Sequence, residues 1–278
     1  MSFFSRMSNG WQLTKTSLRI INENKSLLLF PVLSTISLVA ILATFFGGTF
    51  FLVGDSVEVL LQEDSIFTDV MGYAIIFIYY LINYMVVVFF NAALIHCAIK
   101  ILNEEETSLG EGLRFALSKI GRIFVWAMVS ATVGMLLQIL SNKGKIGEFV
   151  ASLIGMAWAI TTFFVVPILI YEEKGVFQSI KDSTSMVKEK WGESLTANVS
   201  LGIFNFIGIL LAGLITFGLY QVIGVFAIPI GIIMVVIVST VMTAAKTIFI
   251  AAVYNKVEGK PVRYFDGDVL DAAFVLKH

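Results

Sequence analysis

Five stretches of the chain contain no Asp, Glu, Lys or Arg: Ser26–Gly54, Val70–Ile99, Ile123–Asn142, Phe149–Tyr171 and Ser194–Ala245. A helix needs about 20 apolar residues to cross about 30 Å of hydrocarbon. The first four runs meet that length once. The last is long enough for two helices, with Phe217-Gly218 to Gly224 as the place to turn. Six spans are predicted, over about 26–54, 70–99, 123–142, 149–171, 194–218 and 222–246. Strands of a membrane barrel would instead alternate over roughly 10 residues, so the runs specify an all-α polytopic membrane helix bundle within one membrane domain.

The segments between the spans keep helical spacing but are amphipathic. In Met1–Lys25, Phe4, Met7, Trp11, Leu18 and Ile21 recur every three or four residues while Arg6, Lys15 and Arg19 lie off that stripe. Such a helix either rests at the membrane interface or packs under the bundle. Asn103–Gly121 repeats the device with Leu113, Phe115, Ala116 and Ile120, opening on acidic Glu104–Glu106 and closing on Arg122, as a helix dipole favours. Tyr171–Glu193 repeats it with Val176, Phe177, Ile180, Thr184, Val187 and Trp191. Gly10-Trp11, Gly112-Leu113 and Gly175-Val176 open the three segments, with Ser17, Ser118 and Ser179 downstream. The organisation is three units, each a surface helix followed by two spans, with a tail over 256–278. Phe4, Trp11, Leu18 and Trp191 are the candidate membrane-interface residues.

Composition agrees with the pattern. Hydrophobic residues make up 58% of the 278 and charged ones 14%, with mean hydropathy +0.89; soluble domains are near half apolar and a quarter charged. All but Lys143 and Lys145 of the 19 Lys and Arg fall on one side of the six spans. The positive-inside rule then places both termini in the cytoplasm and the chain in the cell membrane, multi-pass. The five charges of Met1–Lys25 and the long run after it, without a small-residue cleavage site, argue against a removable signal peptide. A net charge of −1 gives no reason to expect nucleic acid.

Candidate chemistry is sparse. No Asp or Glu falls inside a span, where ion-coupled carriers often place one. The candidate polar residues within or bordering the spans are Asn83, Ser130, Gln138, Thr162, Asn205 and Lys246; they serve either helix packing or a polar pathway. Lys246, near the inner end of its span, is expected to snorkel. Trp158 is expected to pack within the bundle, and Pro167 to kink its helix. His96 beside the single Cys97 has no second His nearby, which favours an interfacial ring and a buried thiol over a metal site. No nucleophile, phosphate-loop or zinc motif is present, so no catalytic residue, cofactor or metal is expected and the protein is read as a non-enzyme.

Trp11-Gln-Leu13-Thr-Lys15, Lys25-Ser-Leu27-Leu28-Leu-Phe30-Pro31, Asn91-Ala-Ala-Leu94, Ala131-Thr132-Val133-Gly134, Phe164-Val165-Val166-Pro167 and Trp191-Gly192-Glu193 carry a resemblance over nearly the whole chain. The chain resembles a family of uncharacterised six-span prokaryotic membrane proteins, itself similar to the membrane domain fused to some glycerophosphodiester phosphodiesterases. The resemblance brings no established activity or site residues, and the soluble phosphodiesterase domain has no counterpart here. The expected function is a non-enzymatic scaffold or accessory protein acting through its cytoplasmic-face amphipathic helices. The alternative is a transporter or channel whose path is lined by amide and small residues of spans 2, 3, 5 and 6. Expected partners are membrane lipids and either a protein partner or further copies of the chain.

Overall fold

A computed structural model describes residues 3–53, 66–172, 174–191, 196–265 and Leu270. Every described element is helical. In chain order these are α1 Phe3–Glu23, α2 Leu29–Val53, α3 Ile66–Leu102, α4 Leu109–Ser118, α5 Ile120–Ser141, α6 Gly144–Thr161, α7 Val165–Tyr171, α8 Val176–Trp191, α9 Thr196–Ile223 and α10 Ala227–Val257. Short 3-10 turns, Lys25–Leu28 and Gly224–Phe226, lead into α2 and α10. Five stretches are long and apolar enough to cross a membrane, and the last, Gly202–Val257, holds both α9 and α10. The fold is an all-helical polytopic bundle. The residues from Asp55 to Ser65, the Asp266–Asp268 run, and the side chains of Phe4, Met7 and Trp191 lie outside what is described.

α3 is the central post. Its 37 residues span about 55 Å at 1.5 Å per residue, and it packs against α2, α4, α5, α7 and α10. α5 and α6 form an antiparallel hairpin in which the Trp126 and Trp158 rings stack 5.7 Å apart. Gly147 closes that hairpin, because a Cβ there would meet the Leu140 carbonyl at 2.2 Å. α9 and α10 form a second hairpin. It turns at Gly224, whose φ of +60° suits glycine, and closes where Gly208 meets Val238 and Gly231 meets Thr216. Small residues at these crossings let helices approach within side-chain reach.

One expected span is not a continuous helix. α6 stops at Thr161 and α7 starts at Val165, so the break precedes Pro167 rather than falling on it. A proline lacks an N–H and its ring clashes with the carbonyl four residues back, here Phe163, which forces the break there. The backbone N–H of Phe164, inside the break, donates to the Ser183 hydroxyl of α8 at 3.0 Å.

The core sits at one end. Its buried side chains come from the end of α3 (Ala92–Leu102), the end of α10 (Ala244–Tyr254), α7, and the inward faces of α1, α4 and α8. We term this end the base. Away from it, α2, α9 and α10 leave Ile36, Val39, Leu214, Phe217 and Ile232 exposed, as lipid contact requires.

The buried faces of the surface helices coincide only in part with the expected stripes, keeping Ile21, Ala116, Val176 and Val187. α1 buries Leu13, Thr14, Ser17, Ile20 and Ile21 while Trp11 stays 50% exposed; Leu18 is partly buried against the core. α8 buries Val176, Ser179, Ser183 and Val187 and leaves Phe177 78% exposed. α4 buries Gly112 and Ala116. The small residues on these faces, Thr14, Ser17, Gly112, Ala116, Ser179 and Ser183, let each helix lie close against the ends of the spans.

Candidate functional site: a polar and aromatic cluster at the base

The base gathers charged groups of the segments that follow α3, α7 and α10. α4 starts where it does because Ser108 caps it, its hydroxyl accepting the Glu111 N–H at 3.2 Å. That cap sets Glu111 over the end of α3. There the Lys100 ammonium donates to Glu111 Oε1 at 2.6 Å and lies 3.6 Å from Glu105. The Lys100 hydrogen bond holds the Glu111 carboxyl below its ordinary range.

His96, one turn earlier on α3, joins the same group. Its Nε2 is 3.7 Å from Glu111 Oε1, its Nδ1 shares a 2.8 Å hydrogen bond with the Tyr171 hydroxyl, and its ring stacks on Phe115 at 3.9 Å. Cys97, the next residue, points elsewhere: it accepts from Thr107 at 3.2 Å and donates to the Ser108 carbonyl at 3.6 Å. Neighbouring residues on a helix diverge by about 100°, so the pair forms no thiol–imidazole dyad. Among the described residues no group of three or more His, Cys, Asp or Glu could hold a metal ion.

From Tyr171 the cluster continues across three further elements. The Tyr171 and Tyr254 rings stack 6.3 Å apart, and Tyr254 donates to Glu172 at 3.1 Å. Lys174 bridges Glu172 (2.7 Å) and Asp182 (2.8 Å), and Gln178 also donates to Asp182. Hydrogen bonds from Lys174 and Gln178 hold the Asp182 carboxyl below its ordinary range, while Asp182 and Glu172 hold Lys174 above its own. The chain after α10 folds back over this face. Lys260 lies over the Tyr171 and Tyr254 rings, and the Arg263 N–H donates to the Leu102 carbonyl. Arg263 also pairs with Glu104 at 2.7 Å, beside a cavity of about 460 Å³ lined by Asn24, Ser26, Glu104, Glu105 and Tyr264.

The six polar residues singled out from the sequence lie apart from this cluster. Asn83 donates to the Tyr79 carbonyl and Thr162 to the Trp158 carbonyl, each within its own helical stretch. Ser130 is buried on α5, Gln138 is exposed and donates to Asn142, and Lys246 is exposed on α10. The Asn205 side-chain carbonyl is buried without a partner. No hydrogen bond or ion pair joins any two of the six. Sequence reasoning misses the base cluster because its members are far apart along the chain; His96 and Tyr171 are joined only by folding. One local signal is present, the Ser108-Leu-Gly-Glu111 capping pattern.

Fold and base together define a polytopic helical membrane protein. The chain belongs to a family of unknown function (DUF6159), which it matches over residues 70–262, from α3 through α10 and the first residues of the segment that folds back over the base. None of the curated proteins matches the chain.

Proposed function

We propose that the protein is a non-enzymatic scaffold or accessory protein of the cell membrane, with its base and both termini on the cytoplasmic side. The observation that carries this is the interlinked base. Ion pairs, hydrogen bonds and stacked rings run from α3 and α4 through α7 and α10 to α8, so the surface helices form a built platform on the spans. Lys100 and Lys174 are neutralised by the carboxylates around them, and the Cys97 thiol is turned away from the neighbouring imidazole. Both features suit a docking surface better than a reaction centre. The resemblance to a membrane domain that elsewhere accompanies a soluble enzyme supports an accessory role.

Cross-linking in native membranes followed by co-purification tests the reading. A partner or a second copy captured in fixed stoichiometry is the expected result, and recovery of a lone chain contradicts it. Deleting Met1–Lys25 should leave the protein inserted but impair that assembly, and extraction of the truncated chain by carbonate is the opposing result. The transporter alternative rests on the buried, unpartnered Asn205 carbonyl. Flux through reconstituted liposomes that changes in Asn83→Leu or Asn205→Leu would favour it.

A further inference from the structure

Each basal helix carries the same pair of groups on the side away from its buried face. α1 exposes Trp11 with Lys15 one turn on. α4 exposes Leu117 (57%) with Arg114 one turn back, and α8 exposes Phe177 with Lys181 one turn on. Counting 100° per residue, the three apolar side chains all lie about 120° from the centre of their helix's buried face, in the same rotational sense. The cations follow at between about 155° and 180°. None of the three cations makes a hydrogen bond or ion pair among the described residues, whereas Arg19, also on α1, is held by Glu23 at 2.9 Å.

A large apolar side chain turned outward from a helix already docked on its other face needs a non-aqueous neighbour. Trp11 shows which one: its ring lies 4.9 Å from Phe204, near the start of the membrane helix α9. That places it at the level where a span leaves the hydrocarbon, the depth that Trp prefers. A cation one turn away then reaches the headgroups with its stem along apolar surface.

We propose that Trp11–Lys15, Leu117–Arg114 and Phe177–Lys181 are three equivalent docking positions for anionic phospholipids of the leaflet at the base. At each, the lipid phosphate meets the cation and the glycerol–acyl boundary meets the apolar side chain. Charge complementarity commits the sites to lipid phosphate: all three cations are exposed, and none forms a salt bridge with a carboxylate among the described residues, Asp182 beside Lys181 being held by Lys174 and Gln178. The proposal rests on the scaffold reading only in placing the base at the cytoplasmic leaflet.

The test is the full chain reconstituted in phosphatidylcholine vesicles with trace spin-labelled phosphatidylglycerol or phosphatidylcholine, reading the motionally restricted fraction of each probe. The anionic probe should associate about fivefold more strongly per position. That preference should fall by about a third in each of Lys15→Gln, Arg114→Gln and Lys181→Gln, vanish in the triple variant, and weaken in high salt. Arg19→Gln, which removes a charge already paired, should leave it unchanged. Equal restriction of the two probes, or a preference that survives the triple variant, overturns the proposal. So does a triple variant that sheds a co-purifying acidic protein while lipid selectivity stays flat, since the cations would then serve a protein partner. The scaffold reading fails on a different readout, the absence of any cross-linked partner, so the two failures are distinguishable.

Discussion

The Ser183 hydroxyl accepts the backbone N–H of Phe164 at 3.0 Å, with both residues fully buried. This bond ties α8 to the break between α6 and α7, where Pro167 prevents a continuous helix.

Ser183→Ala should therefore destabilise the protein by about 1–3 kcal/mol, since it removes the acceptor of a buried backbone N–H. Ser118→Ala, on the exposed side of α4, should stay within about 0.5 kcal/mol. Thermal unfolding of the two variants in the same detergent separates them, and equal melting temperatures would contradict the role given to Ser183.

Gly112 marks the tightest docking of α4. A Cβ there would sit 2.6 Å from Cys97 Sγ, 2.8 Å from the Phe30 ring and 3.0 Å from the Ala93 carbonyl. Gly112→Ala should cost about 1–3 kcal/mol through overpacking. Adding Cys97→Ala removes the sulfur but neither the ring nor the backbone oxygen, so the clash is relieved in part only. A double-mutant cycle by thermal melts should show a favourable coupling between the two sites. A neutral Gly112→Ala would mean that α4 is not held this closely.

The Lys174–Asp182 pair gives the α8 docking an acid limit. Asp182 is depressed below its ordinary value of 3.8 in the folded protein. Its stabilisation is therefore complete above that value and is lost as pH falls through the lower, folded one. The pair is partly exposed, so the effect is below about 1 kcal/mol. Wild type should lose this increment below about pH 4. Asp182→Asn should start lower at pH 7 and lack that part of the decline. Parallel melting curves for the two proteins from pH 7 to pH 3 would refute the assignment.

The fold class was legible because a charge-free run of bilayer length is the solution that lipid demands and water seldom tolerates. Gly224 turns the chain at the far end of the stretch expected to turn, while Phe217 and Gly218 remain within α9. The orientation of the surface helices was not legible, for a physical reason. In a soluble protein the apolar stripe of a helix points inward, and on that rule Trp11 and Phe177 would line the buried face. Beside a membrane, large apolar groups can face lipid while small ones enable close packing. Here Trp11 and Phe177 are exposed, while Thr14, Ser17, Ser179 and Ser183 face the bundle beside Leu13, Ile20, Val176 and Val187. The base cluster was illegible for a simpler reason. His96, Glu111, Tyr171, Asp182 and Tyr254 come from five helices or their edges, and no local period links them.

α1, α4 and α8 belong to the packed base rather than lying loosely upon it, and everything proposed for the base depends on that. Hydrogen–deuterium exchange of the protein in lipid nanodiscs decides the point. The amides of α4 and α8, and of α1 from Leu13 to Ile21, should be protected to the same order as Ala92–Leu102 and Ala244–Tyr254. Exchange of all three helices at open-peptide rates, with those two core segments still protected, would contradict it.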